Sequence, residues 1–177
     1  MSPHSPFTGT LLLPDRAVFG SESAVTLEDG RPVAIIRWHT WSLGARFEIF
    51  DPVSNGLLAT GAKTGFWGTR YQLTGPADQQ ILELKFGFAG PTGRGTVSLA
   101  DGRTLHTKGK WTARRFIVTD SAGAQVAHLV NTSRVFAMRS DSLAFELTAP
   151  VLTTLEAIGL AQCVRAAMEA QNAAAAG

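Results

Sequence analysis

The sequence predicts a mainly β fold, a barrel or sandwich, completed by one C-terminal helix. Three observations lead there. A motif occurs twice: Val25-Thr26-Leu27-Glu28-Asp29-Gly30-Arg31 returns as Val97-Ser98-Leu99-Ala100-Asp101-Gly102-Arg103. Strand-sized apolar runs are punctuated throughout by turn residues, the pattern of all-β architectures. After Pro150 the character changes to a long apolar segment without such punctuation.

Residues 1–9 read as a flexible N-terminal arm, because Pro3, Pro6 and scattered polar groups offer little to bury. From Thr10 to about Leu147 the chain reads as strands and turns. Asp29-Gly30 and Asp101-Gly102 are hairpin signals of the tight primed type, in which glycine supplies positive φ without steric cost. Each is followed by an apolar strand ending in aspartate, Phe47-Glu48-Ile49-Phe50-Asp51 and Phe116-Ile117-Val118-Thr119-Asp120. Asp51 to Gly56 and Asp120 to Gly123 read as longer turns, and the four aspartates as turn formers. The echo, roughly seventy residues apart, suggests one β unit built twice. Gly65 to Gly68 and Gly87 to Gly95 are dense in glycine and read as loops or sharp bends.

Residues 150 to about 170 are a helix candidate, with Pro150 in the first turn and Thr148 nearby as a cap. The apolar positions, from Val151 and Leu155 through Ile158, Cys163 and Met168, surround most of the helix. Such a helix expects burial on nearly all sides, which in a β protein places it inside the sheet. The single domain therefore runs over 10–171, and the alanine-rich residues 172–177 read as a frayed, disordered tail.

The chain has 177 residues, enough for one well-buried core. A 45% hydrophobic and 17% charged composition argues against disorder. Cys163 is the sole cysteine, so no internal disulfide exists and a reducing, cytoplasmic setting is expected. The N-terminus lacks the basic start and apolar run of a secretory signal. No run of eighteen apolar residues suggests a membrane span.

Two related β halves with Asp-Gly hairpins, followed by one apolar C-terminal helix, resemble the tubby C-terminal-like superfamily. Within it they look most like the LURP-one-related branch, whose relatives include the phospholipid scramblases. The resemblance covers roughly residues 10–170. It implies a closed antiparallel β-barrel of about twelve strands, in two related halves, threaded by the terminal helix. In scramblases the corresponding segment has been read as a membrane span. Here Glu156, Gln162, Arg165 and Glu169 interrupt it, and charge at bilayer depth costs several kcal/mol, so the core-helix reading wins.

The formal net charge is only +2, but it is uneven. Between Arg94 and Arg115 six basic residues face one acidic residue, a net +5. A concentrated patch attracts an anionic partner when the total cannot. If residues 104–111 form a strand, His106, Lys108 and Lys110 share one face. Arg103 at the turn, with Arg114 and Arg115 beyond, extends the positive surface. Lysine suits phosphate as a point charge and arginine as a planar fork. Some tubby proteins bind phosphoinositides through such a surface. The expected function is thus a non-enzymatic module for anionic phospholipid headgroups or the cytoplasmic membrane surface, peripheral to it. The candidate residues are Arg103, His106, Lys108, Lys110, Arg114 and Arg115. A solvated strand face, whose lysines discourage edge pairing, is the competing reading.

A protein-interaction scaffold, including one that pairs with itself, is the alternative function. An enzyme with a pocket at a barrel end ranks below it. Trp38, Trp41, Trp67 and Trp111 suit core filling, or an aromatic and basic rim. No metal site is expected, since His4, His39, His106 and His128 are widely spaced and no second cysteine exists. No cofactor or catalytic residue is expected either. There is no Gly-x-Ser-x-Gly elbow, Gly90 to Gly95 lacks the Gly-Lys-Ser/Thr ending of a P-loop, and Cys163 lies in the apolar helix. Nucleic acid is an unlikely partner because the charge excess is short.

Overall fold

The computed structural model describes residues 2–14, 22–39, 46–64, 70–87, 93–110, 115–131 and 143–175. Twelve strands precede one helix. They are β1 Gly9–Leu13, β2 Glu22–Leu27, β3 Pro32–His39, β4 Arg46–Phe50, β5 Leu57–Thr64 and β6 Arg70–Thr74. The second six are β7 Gln80–Phe86, β8 Gly95–Leu99, β9 Thr104–Lys110, β10 Arg115–Thr119, β11 Gln125–Asn131 and β12 Leu143–Leu147. The helix is α1, Thr154–Ala175. Every strand pairs antiparallel with its sequence neighbours, and β1 pairs with β12 to close the barrel. The predicted mainly β fold with one C-terminal helix is what the chain adopts.

A barrel of eight strands is filled by its own side chains; twelve strands enclose a wider space. Here α1 fills it. Its residues from Leu155 to Met168 are buried on all sides, Gln162, Arg165 and Glu156 among them. The helix carries small buried residues (Ala157, Ala161, Ala166), and Phe47, Tyr71, Phe116 and Phe145 are buried on the strands around it. Alternation along the strands supplies this core, with Ala34, Ile36 and Trp38 inward on β3 and Leu82 and Leu84 on β7.

The repeat has a geometric meaning. The first hairpin is β2–β3 and its echo is β8–β9, six places apart in a ring of twelve, so the two copies face each other across the barrel. Phe47 of β4 and Phe116 of β10 are likewise opposed, each buried.

The tight turns differ from the expectation. Leu27 N donates to Arg31 O (3.0 Å), Gly30 N donates to Leu27 O (3.0 Å), and Gly30 has φ +82°. A primed two-residue turn needs positive φ at aspartate as well, and among the described non-glycine residues only Asn55 and Asp78 have it. The loop is instead the three-residue form, a turn followed by one left-handed residue that opens a bulge. Leu99 to Arg103 repeats it with Gly102 at φ +86°. The aspartates do form turns: Asp29 Oδ1 accepts from Arg31 N, Asp101 Oδ1 from Arg103 N, and Asp120 Oδ1 from Ala122 N and Ala124 N.

Three terminal expectations are corrected. The helix begins at Thr154, not Pro150, and neither Pro150 nor Thr148 starts it. Thr153 and Glu156 form a reciprocal cap: Glu156 N donates to Thr153 Oγ1 (3.2 Å), and Thr153 N donates to Glu156 Oε2 (2.7 Å). The arm is not loose at residues 3–7. Thr154 N donates to Ser5 O (3.2 Å), Leu155 N donates to Pro3 O (2.9 Å), Phe7 N donates to Leu152 O (2.9 Å), and Phe7 is buried. Free amides at a helix start need acceptors, and this segment provides two of them. The helix also continues through the expected tail to Ala175.

A basic outer wall as the candidate functional site

Strand β9 alternates as its sequence suggests. Leu105 and Thr107 are buried, whereas His106, Lys108 and Lys110 are exposed. Register then brings in residues from other strands. Lys85 of β7 faces Thr96 of β8, Thr96 faces His106, and His106 faces Thr119 of β10. These four form one row across four strands. Lys108 faces Ile117, and Lys110 faces Arg115. A shallow cleft of about 430 Å³ lies over this wall, lined by Lys85, Arg94, His106, Lys108 and Ile117 among others. Strands about 4.8 Å apart put Lys85 and His106 roughly 10 Å apart at the backbone, within reach of one anion through long side chains.

The charges here are unmatched. Elsewhere on the exterior Arg31 meets Asp29 (3.5 Å), Arg37 meets Glu22, Arg46 meets Glu48 (3.5 Å) and Arg70 meets Glu83 (3.9 Å). Lys85, at the margin of the wall, meets Glu83 at 3.0 Å. Among the described residues Arg94, His106, Lys108, Lys110 and Arg115 have no carboxylate partner. Like charges held close without counter-charges raise the local potential, and the cost is recovered when an anion arrives.

The opposed wall shows what this one lacks. Six strands away, Ala24, Ile35 and Phe50 stand where Thr96, His106 and Thr119 stand here. Arg37, the counterpart of Lys108, is tied to Glu22 and lies over the Phe50 ring at 4.4 Å. Inward Val25 and Phe47 have matching counterparts in Val97 and Phe116, whereas outward Ala24, Ile35 and Phe50 differ from Thr96, His106 and Thr119, so the basic wall is no by-product of the repeat.

Not every expected residue joins the wall. Arg103 lies at the turn end of β9. Its Nε donates to Asp101 Oδ2 (2.6 Å) and its Nη1 donates to Val151 O in the lead-in to α1, so it fastens the helix. The Arg103 amide above all, and then the Arg103 side chain, hold the Asp101 carboxyl below its usual range. Backbone amides of Ser54 and Val53 do the same to Asp51. Arg114 lies outside the described residues, as do Trp41, Trp67, Trp111, Gly65 to Gly68 and residues 88–92. Trp38 is core, its ring centroid 5.3 Å from that of Phe47. Lys85 and Arg94 are the residues that sequence reasoning missed as site members. Only the strand register places Lys85 beside His106.

Other chemistry finds less to work with. His39 Nε2 lies 3.1 Å from Glu48 and His128 Nε2 lies 3.4 Å from Glu146. Among the described residues no group of three or more His, Cys, Asp or Glu is placed to hold a metal ion. Cys163 is fully buried, and burial pushes its thiol up to about 12, far from nucleophilic use at neutral pH.

Fold and wall together define a closed twelve-stranded barrel built around a buried helix, with one cationic outer face. A solved X-ray structure of a protein from Arabidopsis thaliana, AT5G01750, shares this fold. It matches over 97% of this chain and 96% of its own, with a TM-score of 0.62 and 14% sequence identity. No protein-family model matches the chain, and no curated protein matches it. No described helix is long and apolar enough to cross a membrane.

Proposed function

We propose that the chain is a non-enzymatic binding module that holds anionic phospholipid headgroups, at a membrane surface, against the β7–β10 wall. On this reading it is a tubby-like, LURP-one-related barrel acting peripherally on the cytoplasmic side. The closed barrel around a terminal helix fits that fold. The single observation that carries the binding proposal is the cluster of cations without carboxylate partners, Arg94, His106, Lys108, Lys110 and Arg115. Each cation near an anionic surface contributes about 1 kcal/mol, so a handful gives useful and salt-sensitive affinity.

Co-sedimentation with phosphatidylserine-containing and pure phosphatidylcholine vesicles tests this. The expected result is a preference for the anionic vesicles that fades with salt and falls at least about tenfold in Lys108→Glu/Lys110→Glu. Equal partition to both vesicles, or an unaffected double variant, removes the proposal.

A further inference from the structure

We propose that the barrel has a built-in opening line, the seam between β1 and β2, and that Arg165 on the interior helix is its latch. The seam is short. Among the described residues only Leu11 with Leu27 and Leu12 with Thr26 are in register, whereas every other neighbouring pair of strands has four or five. The next pair along, Leu13 with Val25, is not made.

Arg165 acts at that point. It is buried in the barrel, and its guanidinium donates to Leu13 O (2.8 Å) and Pro14 O (2.7 Å), at the end of β1. A buried guanidinium must keep its acceptors, because leaving it without them costs several kcal/mol. At the other end of the same segment, Ser5 O and Pro3 O accept from the first turn of α1. Residues 3–14 are thus pinned to the helix at both ends while holding β2 by a two-pair ladder. A cleft of about 470 Å³, lined by Phe7, Gly9, Thr10, Leu27 and Glu28 among others, lies beside the turn end of this seam. On the far side of the helix the packing is close: a Cβ on Gly159 would lie 2.3 Å from Leu73 of β6. Opening therefore parts β1 from β2 and leaves α1 seated against β5, β6 and β7.

Residue-resolved hydrogen exchange on the full chain tests this. The β1 amides that point to β2 exchange at least about tenfold faster than those of β5 to β7. A disulfide between Leu12→Cys and Thr26→Cys, which face each other across the seam, slows the β1 amides and leaves β5 to β7 unchanged. Arg165→Met speeds exchange in β1 selectively; Arg165→Lys, which keeps the charge but loses the fork, does the same should the methionine variant not fold. The proposal is overturned if native β1 is as protected as β5 to β7, or if the crosslink acts equally on all strands or on none. An Arg165 variant that changes exchange uniformly, or leaves it unaltered, removes the latch.

Discussion

Gly109 and Phe116 face each other across β9 and β10, and a Cβ on Gly109 would lie 2.4 Å from Cδ1 of the Phe116 ring. The first half uses the same device, with a Cβ on Gly61 falling 2.0 Å from Cζ of Phe47. Both rings are buried, so neither can swing into solvent. At Gly109 the added carbon also meets the Arg115 carbonyl at 2.4 Å, and backbone yields less than a ring. Gly109→Ala is expected to destabilise by about 1–3 kcal/mol, and by more than Gly61→Ala. Urea denaturation midpoints of the two variants check the order.

The reciprocal Thr153–Glu156 cap sets where α1 starts. Thr153→Ala is expected to cost about 1 kcal/mol, because the Glu156 amide then lacks its acceptor inside the barrel mouth. The two side chains act as a pair, so Thr153→Ala combined with Glu156→Gln costs less than the sum of the single changes. A double-mutant cycle in urea measures the coupling.

Alkali loosens the core in a predictable order. Burial raises the Cys163 thiol from 9.0 to about 12. Burial, helped by the Cys163 and Glu169 charges, raises the Tyr71 hydroxyl from 10.0 to about 12. The folded chain therefore keeps protons that the unfolded chain has released. Stability is full below the unfolded value of 9.0 and falls as pH climbs from there towards about 12. In Cys163→Ala the decline begins later, near the unfolded Tyr71 value of 10.0. Urea midpoints across the alkaline range show the displaced onset; an identical onset in both proteins contradicts it.

The cations of β9 and its turn separate by role. Lys108→Glu/Lys110→Glu is expected to abolish the anionic-vesicle preference with little change in stability, since both residues are exposed and unpaired among the described residues. Arg103→Gln is expected to do the reverse, lowering the urea midpoint by loosening the helix lead-in while vesicle binding stays within about twofold. Vesicle binding and denaturation of the two proteins, measured side by side, distinguish the roles.

Much of this was legible in the sequence, for definable reasons. The all-round apolarity of residues 151–168 forces burial on every side, and only an enclosing sheet supplies that. Alternation in Leu105 to Lys110 gave the outward face of β9 directly. Lys85 stayed hidden because neighbours across a sheet depend on register, which no local pattern records. Arg103 misled because its charge was visible while its partner, the Val151 carbonyl, lies 48 residues further on. The Asp-Gly pairs announced a turn but not its length, since the three-residue loop and the primed turn both want glycine at the left-handed position. Thr153-Thr154-Leu155-Glu156 carried a legible cap, obscured by the nearby proline. Phe7 was the sign that the arm had something to bury.

The chain order of the filler helix constrains how the protein is made. All twelve strands leave the ribosome before α1 does, so the emerging sheet has no plug for its interior until residues 154–175 follow. Until then its greasy inner surface must stay collapsed on itself or be shielded by a chaperone. Translation cut short before residue 154 is therefore expected to yield an aggregating product rather than a smaller folded protein.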